Sequence, residues 1–142
     1  MNIAFFLLPK NEVAFLTPNS TMRQALERME YHRYTAVPLL DEEGRYVGTI
    51  TEGDLLWKLK NTDGLNFENT HKTSLKDVPL RVNNQTVRID AQIEDLIPLV
   101  TMQNFVPVVD DKGVFIGIVR RREVIEYCAN MLLEYRNEIK GP

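Results

Sequence analysis

The chain has 142 residues, of which 44% are hydrophobic and 26% charged, and a formal net charge of −3. That length can bury an ordinary core, and the composition excludes disordered, collagen-like and disulfide-scaffold classes. The weak acidity argues against a protein built to neutralise many phosphates of DNA or RNA, and the single cysteine, Cys128, allows neither an internal disulfide nor a cysteine-rich zinc site.

The first apolar stretch, residues 3–8, is too short for a signal-peptide core or a membrane span, so no membrane association and a cytoplasmic location are expected. A short strand is expected near 13–17. Met22, Ala25, Leu26 and Met29 follow at i, i+3, i+4, i+7 spacing and predict a helix, with Thr21 and Gln24 placed to form a capping box at its start. Residues 36–50 read as two strands joined by a tight acidic turn that closes on Gly44. A second helix is predicted from Glu52 to about Lys60, and the largely polar tract 61–74, with Asp63-Gly64, reads as a connection.

The pattern then starts again. A strand is expected over 86–89, and Ile93, Leu96, Ile97 and Val100 repeat the helical spacing. Pro98 interrupts them and predicts a shorter or kinked helix. Residues 105–119 align without a gap on 36–50, with the proline (Pro38 and Pro107), the aspartate (Asp41 and Asp110) and both glycines coinciding. A last helix begins at Arg121, and Val124, Ile125, Cys128, Met131, Leu132, Tyr135 and Ile139 give it one sustained apolar face that outlasts its repeat. The fold class is therefore α/β (α+β): tandem β-α-β-β-α repeats with pseudo-two-fold symmetry and small sheets flanked by helices. The units are 1–60, a linker at 61–74, and 75–142. The long apolar face is read as the contact of a homodimer.

The two repeats differ where chemistry is possible. Thr51 ends a strand and precedes a helix, so it is placed as an N-cap beside free backbone N–H groups that suit an anion. Asp54, one turn on, is placed to accept two hydrogen bonds from a ribose diol. Val13, Ala14, Tyr34, Thr35, Ala36 and Pro38, at strand starts on the same rim, are candidates for an apolar slot with a few backbone partners. In the second repeat Arg120 replaces Thr51 and Glu123 replaces Asp54, and the basic run Arg120-Arg121-Arg122 offers guanidinium forks to phosphate. His32 and His71 sit in no metal-ligand pattern, and the chain carries no Ser-His-Asp set, Walker loop or metal triad.

The stretch AVPLLDEEGRYVGTITEGDLL at 36–56, repeated as VPVVDDKGVFIGIVRRREVI at 106–125, resembles the paired CBS domains (cystathionine β-synthase type, or Bateman module) of small stand-alone bacterial proteins. The second copy departs from the pattern at its Thr and Asp positions. The resemblance implies regulatory, non-enzymatic binding of an adenosine-containing ligand (AMP, ADP, ATP, S-adenosylmethionine or cyclic di-AMP) between the repeats, with no further cofactor and no nucleic-acid partner. It also implies packing that brings Arg121 and Arg122 to the phosphates of a ligand held by Thr51. Relatives that sense cyclic di-AMP surround it with a Thr-Ala, a Val-Ala and an Arg-Arg pair, which here are Thr35-Ala36, Val13-Ala14 and Arg121-Arg122. Glu12 stands where those relatives carry a basic residue. The leading expectation is an adenine-nucleotide sensor that signals to a protein partner not yet identified. A cyclic di-AMP receptor of the same fold and a ligand-free dimerisation module are the alternatives.

Overall fold

A computed structural model describes residues 1–141. β1 (Leu8–Pro9) precedes α1 (Met22–His32), the hairpin β2 (Ala36–Leu40) and β3 (Tyr46–Thr51), and α2 (Glu52–Asn61). The second half runs through β4 (Val87–Arg88), the short α3 (Ile97–Val100), the hairpin β5 (Phe105–Val109) and β6 (Phe115–Arg120), and α4 (Arg121–Lys140). Among the described residues, no helix is long and apolar enough to cross a membrane.

Sequence dictates most of these boundaries. Thr21 accepts a hydrogen bond from the Gln24 amide at 3.1 Å while Gln24 accepts from the Thr21 amide at 2.8 Å, closing the expected capping box on α1. Pro98 lacks an N–H, and the helix of the second repeat accordingly shrinks to a 3-10 turn at Ile93–Leu96 followed by one α-turn. In each hairpin the first aspartate ties the turn: Asp41 Oδ1 accepts from the amides of Glu43 and Arg45, and Asp110 Oδ1 from those of Lys112 and Val114.

The strand expected over 13–17 is reduced to a single parallel bridge, Leu16 to Leu39. Its counterpart, β4, pairs in parallel with β5 only from Val87↔Val108 onward. The cause is shared, because Pro38 and Pro107 have no N–H to give the ladder. The N-terminal segment compensates: β1 pairs antiparallel with β6, Leu8↔Ile118 and Pro9↔Gly117, so the second sheet has the order β1-β6-β5-β4. Gly117 permits this approach, since a Cβ there would overlap the Leu8 carbonyl oxygen.

Three apolar clusters form the core. Met22, Ala25, Val37, Ile50 and Leu55 lie in the first repeat, and Ile93, Leu96, Val106, Val119 and Val124 in the second, where Ile3 of the N-terminal segment joins them. Val13, Leu40, Phe105, Phe115 and Ile118 join the two. Equivalent residues meet across the pseudo-two-fold axis. Arg45 bridges to Val114, and Asn104 Nδ2 lies 3.5 Å from Thr35 Oγ1. The helix starts are also matched, with Glu52 N–H bonded to Thr35 O at 3.0 Å and Arg121 N–H to Asn104 O at 2.9 Å.

Candidate functional site

The symmetric packing opens a cleft of about 430 Å³ between the repeats. One wall comes from the first repeat: Val13 and Ala14, then Tyr34, Thr35, Ala36 and Pro38. The opposite wall comes from β6 and the start of α4, through Ile118, Arg120, Arg121, Arg122 and Ile125, with Asn104 and Phe105 between them. Leu8 and Arg33 complete the lining.

Each wall has a local cause. α1 ends on Arg33 in the left-handed conformation at φ 59°, with its N–H bonded back to Glu30 and Met29 carbonyls. This cap turns the chain so that 34–36 leave the helix directly into β2. It also puts a residue with a long cationic side chain at a position where glycine is the usual occupant. On the other wall, Arg121 Nε donates to the Val100 carbonyl at 2.9 Å, which fixes that side chain across the end of α3. Arg122 pairs with Glu126 at 3.6 Å, and both side chains are about two-thirds exposed.

Four guanidinium groups and no carboxylate therefore line a cleft whose remaining surface is mainly apolar. Glu123, just outside the lining, binds Arg120 through both carboxylate oxygens and holds that guanidinium still more firmly protonated. Apolar walls with a cationic rim suit a flat, partly apolar molecule that carries negative charge at one end.

Eight of the ten residues expected at the site share this cleft, from Val13 to Arg122. Thr51 and Asp54 do not line it. They form their own capping box: Asp54 Oδ2 accepts from the Thr51 amide at 2.9 Å, and Thr51 Oγ1 from the Asp54 amide at 3.1 Å. Asp54 Oδ1 is taken by the Arg81 amide at 3.1 Å, leaving the side chain 1% exposed. Leu80 packs over Gly48 beside it, and the Arg81 guanidinium lies over the Trp57 ring at 5.6 Å. The expectation that Thr51, Asp54 and the arginine pair surround one ligand is thus corrected. The pseudo-two-fold axis sets the apolar slot of the first repeat against the helix start of the second, and the chain at 80–81 closes over Asp54.

Sequence reasoning missed Arg33 and Asn104, and it counted Arg120 in the basic run without assigning it to the cleft beside Arg121 and Arg122. Asn104 and Arg120 had a signal, standing 69 positions after Thr35 and Thr51 in the repeated frame. Arg33 had none, because its place depends on a left-handed cap that propensity assigns to glycine. Glu12 is not among the lining residues, so its charge does not stand in the cleft.

A model of the CBS domain matches residues 7–61 and again 75–130. The chain belongs to the CBS-domain family, as two such domains packed about a pseudo-two-fold axis. Its fold is similar to that of a conserved hypothetical protein from Geobacillus kaustophilus, with a TM-score of 0.80, 27% identity, and coverage of 92% of this chain and 98% of the other. It is also similar to CBSX2 solved in complex with AMP, with a TM-score of 0.73, 25% identity, and coverage of 92% and 97%. In sequence it is 26% identical to cyclic di-AMP receptor B of Bacillus subtilis, over 85% of this chain and 82% of that protein. The chain spans 61% to 65% of the length of several other curated relatives.

Proposed function

We propose that this chain is a regulatory receptor for an adenine nucleotide held in the arginine-rimmed cleft, with cyclic di-AMP as its ligand. One observation carries the reading: Val13-Ala14, Thr35-Ala36 and Arg121-Arg122 are far apart in sequence and line the same cleft. In cyclic di-AMP sensors of this family the corresponding pairs surround the ligand, and the likeness to the Bacillus receptor points the same way. The Val13-Ala14 and Thr35-Ala36 slots take the purine and offer backbone N–H and C=O groups to its edge. Arg121 and Arg122, with Arg33 and Arg120, meet the phosphates. The chemistry asked of the protein is binding alone. Its output is a shift in the population of one conformation, read by another protein.

AMP is the second reading, and the AMP complex of CBSX2 favours it. A mononucleotide calls for a ribose acceptor of the Asp54 kind, whereas here Asp54 is fully engaged elsewhere. The uncovered face of α4 supports a homodimer: Ile125, Leu132, Tyr135 and Ile139 are each more than half exposed.

A thermal-shift panel of cyclic di-AMP, cyclic di-GMP, AMP, ADP, ATP and S-adenosylmethionine decides among these readings, because a ligand that binds only the folded state raises the melting point. Cyclic di-AMP is expected to give the largest rise. A larger rise with AMP favours the second reading, and no rise with any adenine compound leaves the ligand-free dimerisation module.

A further inference from the structure

Glu123 holds the place in the second repeat that Asp54 holds in the first, and the two carboxylates are used differently. Asp54 turns back onto backbone amides. Glu123 is one methylene longer and meets the Arg120 side chain instead, with Nε at 3.0 and 3.2 Å from its two oxygens and Nη2 bonded as well. α4 consequently begins with no side-chain cap. Arg120 lines the cleft and is 43% exposed, whereas the Glu123 side chain is 18% exposed.

A guanidinium presents five N–H donors in one plane. Glu123 engages the Nε–Nη2 edge, so the Nη1 hydrogens and one on Nη2 stay available. Fixing one edge on a sheltered carboxylate also fixes the direction of the other, and it removes rotamer freedom that an incoming anion would otherwise have to suppress. Arg120 cannot readily exchange Glu123 for a ligand, because that would leave a half-sheltered carboxylate without a partner.

We propose that Glu123 is a positioning residue that aims the free edge of Arg120 into the cleft, making Arg120 a determinant of phosphate binding there. The inference rests on reading the cleft as a nucleotide site. Coulomb's law by itself predicts the opposite sign: Glu123 is a negative charge beside an anion site, and its removal would tighten binding. The sign of the mutational effect therefore separates positioning from bulk electrostatics.

Calorimetric titration with cyclic di-AMP of the full chain, Glu123→Ala, Glu123→Gln, Arg120→Ala and the Arg120→Ala/Glu123→Ala double variant tests this. Affinity is expected to fall by roughly tenfold in Glu123→Ala, about the worth of one charge-assisted hydrogen bond. A smaller loss is expected in Glu123→Gln, which keeps an oxygen for Arg120 Nε. The double variant is expected to be no weaker than Arg120→Ala alone, because the two residues act through one contact. In nuclear magnetic resonance the Arg120 Nε–H signal is expected to be slow to exchange in the wild type and to be lost in Glu123→Ala. Arg120→Lys, which keeps the charge and lacks the fork, gives a comparable loss of affinity if Glu123→Ala fails to fold. Unchanged or tighter binding by Glu123→Ala, or wild-type affinity in Arg120→Lys, overturns the inference while leaving the cleft reading intact. A wild-type chain that does not bind the nucleotide overturns both.

Discussion

Asp54 and Glu123 occupy one position in a repeated frame, yet a single methylene and a neighbouring Thr or Arg send them to different partners. From sequence, a carboxylate in the first turn of a helix beside a cleft reads as a ribose acceptor. What the sequence does not display is the Arg81 amide, 27 residues away, that occupies Asp54 Oδ1. The meeting of Thr35-Ala36, Val13-Ala14 and Arg121-Arg122 in one cleft followed from the family resemblance, in which such pairs lie together. Their separation from Thr51 and Asp54 was not legible, because it depends on which wall faces which across the axis. Asp54→Ala is therefore expected to act on stability. Loss of two backbone partners of a buried carboxylate is expected to lower unfolding free energy by about 2–3 kcal/mol. Cyclic di-AMP affinity is expected to stay within about twofold of wild type, well under the 1.4 kcal/mol that each decade represents. Denaturant melts and calorimetry on the same preparation check both halves, and a large affinity loss without a stability loss would return Asp54 to the binding site.

At the scale of elements, the helices were the most legible parts. Period-3.6 apolar spacing marks α1 and α4, and the capping pair Thr21–Gln24 and the interrupting Pro98 mark where helices start or shrink. Thr21→Ala is expected to cost about 1 kcal/mol in a denaturant melt, the usual worth of an N-cap side chain, with no change in ligand affinity. The short strands were less legible. Prolines at 38 and 107 limit pairing on one edge of each hairpin, so residues 13–17 supply a single bridge. Strand β1 was concealed because Leu8-Pro9 is too short to show a period, and because its register depends on the empty Cβ position of Gly117.

For the molecule as a whole, the internal repeat made the architecture readable: two units too small to bury much surface alone share a third apolar cluster at their seam. The same symmetry sets the cleft, in which an apolar wall from one repeat faces a basic helix start from the other. α4 breaks the symmetry, running for 20 residues where α2 has 10. Its outer half, residues 131–140, is exposed throughout, and Leu132 and Ile139 are 68% and 66% exposed. If copies of the chain pair through this face, analytical ultracentrifugation is expected to show a wild-type dimer that Leu132→Glu with Ile139→Glu converts to monomer, since a charge buried without a partner opposes association. A variant that stays dimeric would move the contact elsewhere.

The central claim is that the arginines of the second repeat meet phosphate in a cleft whose purine slot belongs to the first. Its most direct measurement is a cyclic di-AMP titration of Arg121→Ala/Arg122→Ala against wild type at two salt concentrations. Removal of two phosphate contacts predicts an affinity loss of a hundredfold or more, on the order of two charge-assisted bonds, together with a shallower dependence on salt. Equal affinity and equal salt dependence in the two proteins would contradict it.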